Sequence, residues 1–177
     1  MKLRPAPPWQ VSEWINTPNP LSLDALKGRI IVLEAFQMLC PGCVSHGLPQ
    51  ARRIATAFAP EDVAVIGLHT VFEHHEAQGS RVALEAFLHE YRFDFPVGID
   101  APGDGGLLPG TMQAYQMQGT PTLVLIDQLG RRRAQHFGAV EDIRLGAQIG
   151  ALLAEPARAP AVDMDATGCV PGPGRCD

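Results

Sequence analysis

The sequence predicts an α/β fold with a mixed central sheet flanked by helices. Three observations carry that expectation. Apolar runs of strand length recur at Ile30–Phe36, Val63–Leu68 and Thr122–Ile126. Segments with a 3.6-residue apolar period lie between them. A turn signal at Gln128-Leu129-Gly130 then joins the third run to a further strand, and one more amphipathic segment follows. Strand–helix alternation in the first half argues for parallel pairing, and the late hairpin adds antiparallel strands.

The totals set the frame. A chain of 177 residues with 46% apolar and 19% charged residues is one domain with room for a sizeable core. Its net charge of −5 and pI of about 5.6 give no electrostatic reason to expect nucleic acid. Met1–Pro8 contains no apolar stretch of the secretory type, and no run reaches transmembrane length. The expectation is a cytoplasmic protein with no membrane partner. Structural disulfides are rare in that compartment, so closely spaced cysteines there are read as catalytic or metal-binding.

In chain order, residues 1–20 read as a proline-rich, irregular N-terminal arm interrupted by Trp9 and Trp14. Exposed tryptophans are costly, so the arm is expected to lie across the domain and bury at least one. Trp14 is a candidate cover for the active site. Residues 21–155 form the domain proper. Ser22–Leu26 reads as a short helical turn ended by Gly28. Ile30–Phe36 has the length of a central strand buried on both faces, with Glu34 its one exception. After Cys40, Val44, Leu48, Ala51, Ala55 and Phe58 make one helical stripe. Pro49 lies inside it and cannot donate to the Ser45 carbonyl, which predicts a kink.

Val63–Leu68 is the next buried strand, and His69–Gly79 reads as a polar loop. Ser80 caps a helix whose face is Leu84, Phe87, Leu88 and Tyr91. Phe95–Ile99 is a short strand, 101–110 a Gly/Pro-rich loop, and Thr111–Met117 a short helix. Thr122–Ile126 and Arg132–Phe137 pair as the hairpin, and Glu141–Leu153 closes the domain as a helix. Residues 156–177 return to Pro, Gly, Ala and Asp and read as a flexible tail.

The chemistry centres on Cys40-Pro41-Gly42-Cys43, where the strand meets the helix. Pro41 suits the first helical position, where its missing N–H costs nothing. The free N–H groups of Gly42 and Cys43 can then face the Cys40 sulfur, which equips it for attack. Cys43, one turn in, is the more buried and acts as the resolving thiol. A zinc half-site has the same spacing but needs a second matching pair. Cys169 and Cys176 match it poorly. In a βαβ context the redox reading is favoured.

The strand, the Cys-x-x-Cys at a helix start and the later Thr120-Pro121 before a strand resemble the thioredoxin-like superfamily. The long connection between Leu68 and Met117 is more similar to its TlpA-type and peroxiredoxin-like redoxins. Leu-Lys-Gly-Arg before the first core strand, Tyr115…Gly119-Thr120-Pro121-Thr122, Ile126-Asp127-x-x-Gly130 and Phe137-Gly138 complete the resemblance, which covers Leu21 to Leu153. It implies a thioredoxin fold with an inserted strand–helix segment, and a thiol–disulfide oxidoreductase that needs no cofactor and no metal. The matching position to Glu34 often carries an acid that relays a proton for the buried cysteine. A solvated strand-end glutamate is the alternative. Pro121 is cis in the superfamily and packs against the cysteines, leaving Thr120 to pair with an extended substrate alongside Pro41 and Gly42. An ordinary trans proline opening an edge strand is the alternative.

The sequence also departs from that pattern. Leu39 stands where thioredoxins have tryptophan, the Pro-Gly order between the cysteines is reversed, and Pro49 comes one residue late. These changes bear on substrate and reduction potential. A peroxiredoxin-like peroxidase needs a Pro-x-x-x-Thr/Ser-x-x-Cys cradle, but Gln37 stands three residues before Cys40. A metal-binding module using the cysteine pairs is the third alternative. His69, His74 and His75 cluster with Glu73 and Glu76 in what reads as a solvated loop. His46 lies on the helix and can face either the site or solvent. Cys169 and Cys176 are a possible secondary redox pair that exchanges with Cys40, a soft-metal site or an inert tail. The partners implied are protein or small-molecule disulfides and a reductant.

Overall fold

The computed structural model describes residues 4–105 and 108–155. Ile30–Phe36 forms strand β2, all seven residues buried, as its unbroken apolar character requires. It lies between β3 (Val63–His69), its parallel neighbour, and β5 (Thr122–Ile126), its antiparallel one. Beyond β3 comes β4 (Val97–Asp100), again parallel, and beyond β5 comes β6 (Arg132–Phe137), antiparallel. With β1 (Val11–Ile15) on the outside of β4, the strand order is β1-β4-β3-β2-β5-β6. The mixed sheet and the late hairpin agree with the sequence expectation.

Two apolar layers sit on the sheet. On one face, Val32 and Phe36 pack with Cys43, Leu48, Leu88 and Ile149. Leu48, Leu88 and Ile149 come from α1 (Leu48–Ala57), α3 (Arg81–Tyr91) and α5 (Asp142–Ala154), whose apolar stripes face the strands, and Cys43 from the turn just ahead of α1. Ser80 caps α3 as expected, its Oγ accepting from the Ala83 N–H at 3.1 Å. On the other face, Leu33, Ile66 and Val124 pack with Tyr115 and Met112, which follows from α4 (Gly110–Ala114) and the turn after it.

The N-terminal arm is not irregular throughout. Its residues Val11–Ile15 are the edge strand, paired antiparallel with β4 and bulged between Val11 and Glu13. Ahead of β1 the Ala6 N–H donates to Gly130 O (2.8 Å), and Tyr115 Oη donates to Pro7 O (2.7 Å). Trp9 Nε1 donates to Leu21 O, and its ring meets Trp14 edge-on at 6.0 Å. The arm does cross the domain. Trp14, however, packs on the Tyr115 face, opposite Cys43, with β4 and β3 between its strand and β2. It does not cover the cysteines.

Other differences are local. The kink expected at Pro49 takes the form of a π-helical turn, Cys43–Gly47, in which the Leu48 N–H reaches back to Cys43 O. Pro49 then opens regular α-helix, where a missing N–H is tolerated. His69 completes β3 and is buried, so it is not a loop residue. A four-residue helix, α2 (His75–Gln78), interrupts the loop that follows.

Candidate active site

β2 ends at Phe36, and Gln37–Leu39 turn the chain into the helix. The turn is fixed by the Cys40 N–H donating to Gln37 O (3.3 Å). Cys40 is half-buried and Cys43 fully buried, both as free thiols. The Cys43 N–H points at Cys40 Sγ at 3.2 Å, so the asymmetry read from the sequence has a geometric basis. A backbone donor aimed at the outer sulfur stabilises negative charge on it. Cys40 Sγ donates to Thr120 O at 3.5 Å, which brings the Thr120-Pro121 segment to the pair. Burial pushes the Cys43 thiol far above the usual range, and the Cys40 side chain adds to this. Hydrogen bonds from the Gln37 backbone and the Thr120 side chain pull the other way.

The Thr120–Pro121 peptide is cis. Pro121 lies against the active-site helix at two glycines. A Cβ on Gly42 would come within 3.2 Å of Pro121 Cδ, and one on Gly47 within 3.0 Å of Pro121 Cβ. Pro41 is exposed beside them. Leu39, 55% exposed, and Phe137, 57% exposed, leave apolar surface next to Cys40 and against Gly119.

Glu34 is buried, not a solvated strand-end residue. It shares the Cys43 face of the sheet, and its Oε1 lies beneath Gly47, one helical turn past Cys43. That oxygen has no hydrogen-bond partner. Burial pushes the carboxyl up to about 8 from 4.5. A group poised there takes up or gives up a proton near neutral pH, as a relay needs. Any side chain at position 47 would strike the carboxyl, which explains a glycine in this helix.

Two polar residues that the sequence reading did not assign to the site are built into it. Gln37 and Gln78 are both buried, and the Gln78 Nε2 donates to Gln37 Oε1 at 3.0 Å. No local signal distinguishes Gln78 from its exposed neighbours in His-Glu-Ala-Gln-Gly. The other candidates lie elsewhere. Glu73, His74, His75 and Glu76 are exposed, whereas His69 is buried at the end of β3. His46 Nε2 sits 3.3 Å from Val140 O, at the entry to α5. Cys169 and Cys176 lie outside the described residues. Among the described residues no group of three or more metal-capable side chains converges.

The sequence pattern of the AhpC/TSA family matches residues 4–134, from the arm through the cysteines to the hairpin. The chain belongs to the AhpC/TSA family. Solved structures agree with that placement. This AhpC/TSA member is 58% identical to a thioredoxin-like superfamily protein, with a TM-score of 0.83 over 85% of this chain and 97% of that one. It is 46% identical to a thiol-disulfide isomerase from Corynebacterium glutamicum, with a TM-score of 0.80 and the same two coverages. A DsbE candidate from Chlorobium tepidum, at 22% identity and TM-score 0.67 over 86% of this chain and 98% of that one, shares the fold. No curated protein sequence matches. The fold is thioredoxin-like, and this AhpC/TSA member is an oxidoreductase of the thiol–disulfide class.

Proposed function

We propose that Cys40 and Cys43 form the dithiol/disulfide couple of this oxidoreductase, with Cys40 as the attacking thiol. The observation that carries the assignment is the half-exposed Cys40 sulfur facing the Cys43 N–H, with the second thiol sealed behind it. The Cys40 thiolate attacks a substrate disulfide and forms a mixed disulfide, and the first substrate sulfur leaves as a thiolate that takes up a proton. Cys43 then loses its proton and attacks the Cys40 sulfur. The Cys40–Cys43 bond forms, and the second substrate thiolate leaves. The substrate gains two electrons, and an external dithiol returns them to the enzyme.

Glu34 handles the Cys43 proton. Its carboxyl lies under Gly47, one helical turn past Cys43 and on the same face of the sheet, where it can take up the proton that the buried thiol releases. Thr120 and Pro121 form the wall against which an extended protein disulfide lies. Leu39 and Phe137 offer apolar contact on either side. Peroxidase chemistry is disfavoured by Gln37, whose buried side chain is engaged with Gln78 where a hydroxyl would be needed.

The test is disulfide reduction by single-cysteine variants. Cys40→Ser abolishes reduction of insulin or a model disulfide. Cys43→Ser retains the first attack and accumulates a mixed disulfide visible by mass spectrometry. Full turnover by Cys40→Ser would remove the assignment.

A further inference from the structure

Cys40 lies between a donor and an acceptor. The Cys43 N–H faces its sulfur at 3.2 Å, and the Cys40 thiol itself donates to Thr120 O at 3.5 Å. The two contacts act in opposite senses. A donor favours the thiolate, whereas an acceptor favours the thiol and repels the charge that would replace it. The donor side is set by the turn that carries the cysteines. That turn is tied down by Gln78, whose Oε1 accepts from the Leu39 N–H at 3.1 Å while its Nε2 donates to Glu73 O at 2.9 Å. The acceptor side belongs to a different segment, Gly119–Pro121, whose anchors lie around the β5–β6 hairpin.

One anchor is the Gly138 N–H, which donates to Pro121 O at 2.9 Å. Another is the Phe137 ring, so close that a Cβ on Gly119 would come within 3.0 Å of it. The third is Thr122, which opens β5, is fully buried, and donates from Oγ1 to Gly119 O at 2.6 Å. The rest of β5 is Leu-Val-Leu-Ile, and Thr122 pairs with Ala35 of β2. Valine would fill the same space in so apolar a setting. The hydroxyl is accounted for by the bond it makes to the carbonyl just before that of Thr120. Gly119 O and Thr120 O belong to consecutive peptides, so a shift of the first turns the second. Without the hydroxyl, Gly119 O loses this donor in a buried position, and the segment moves to recover one.

We infer that Thr122 is a positioning residue for the attacking step, its hydroxyl holding the segment so that the Thr120 carbonyl retains the Cys40 proton. This rests on the Cys40 role proposed above. It gives the start of β5 a part in the reaction: it sets how much of the outer cysteine is available as a nucleophile at a given pH.

The experiment follows alkylation of Cys40 by iodoacetamide in the reduced full-length chain, from pH 5 to pH 9. The thiolate displaces iodide, and mass spectrometry of the Cys40 peptide separates this label from any on the other cysteines. Thr122→Val keeps the shape and removes the hydroxyl, whereas Thr122→Ser keeps the hydroxyl. In Thr122→Val the profile of rate against pH moves to lower pH by about half a unit. That is roughly a threefold faster reaction on its rising limb, the effect of one weakened hydrogen bond to the thiol. Thr122→Ser keeps the wild-type profile. Superimposable profiles for Thr122→Val and wild type would overturn the inference. So would a shift to higher pH, an equal shift in both variants, or loss of folding in Thr122→Val, since the last two mark a purely structural role. Faster labelling of Cys43 than of Cys40 in the wild type would instead count against the Cys40 role itself.

Discussion

Glu34→Gln makes the sharpest test of how the site is built. A carboxyl held at about 8 in the fold and at 4.5 when unfolded stays protonated in the fold where the unfolded chain has already ionised. Between those values the unfolded state binds fewer protons, so stability falls as pH rises. The span is roughly 3.5 pH units at about 1.36 kcal/mol each, or about 5 kcal/mol lost from wild type between pH 4.5 and above pH 8. Glutamine has the shape of the protonated acid and does not titrate. Urea unfolding of both proteins under reducing conditions, from pH 5 to pH 9, gives two stability curves. Their difference removes the cysteines and every other shared group. It should favour Glu34→Gln progressively and level off above about pH 8. Parallel curves would show that the carboxyl is already ionised or hydrated in the fold, and the relay argument would lose its basis.

His69 gives the mirror image. Burial pulls its imidazole down to about 4 from 6.5, so the unfolded chain binds the extra proton and stability falls as pH drops through that window. His69→Phe should gain on wild type by about 3 kcal/mol between pH 6.5 and pH 4, in urea unfolding carried down to pH 4. Gly47→Ala should destabilise by about 1–3 kcal/mol, because its methyl meets the Glu34 carboxyl and Pro121. Gly150→Ala, in α5 with open space around it, should instead gain up to about 1 kcal/mol. Opposite signs in urea midpoints at constant slope check the pair.

The parts of the fold legible in advance were those where burial leaves a regular imprint. β2 was readable because both its faces are covered, so no polar alternation breaks the run. Glu34 was readable for the same reason, as the one carboxyl inside it. β1 was not, because the bulge between Val11 and Glu13 disrupts the two-residue period and prolines precede it. Its pairing depends on β4, far away in the chain. α2 is too short for any period to show, and it follows His74 in a left-handed conformation. Gln78 was hidden for a different reason. A buried glutamine looks like a surface one until its partners are known, and those partners are mostly main-chain groups, which every residue has. Gln37 was read only as a residue a peroxidase could not use, while its positive role depends on where Gln78 falls.

The path of the arm has a consequence for the order of assembly. Residues 4–6 fasten to the β5–β6 hairpin at Gly130, Arg131 and Arg132, while Val11–Ile15 fasten to β4 at the far edge of the same sheet. The arm is therefore a belt whose two buckles belong to opposite ends of the strand order. Synthesised ahead of the sheet it spans, the arm has no complete seat until the hairpin has followed more than a hundred residues later. Such distant contacts are late to form, since their loops are costly to close before other contacts hold them. Until then the face carrying Ile31, Leu33, Ile66 and Leu68 has lost part of its lid. The nascent chain is most exposed to sticking at that stage, on the side of the sheet away from its cysteines.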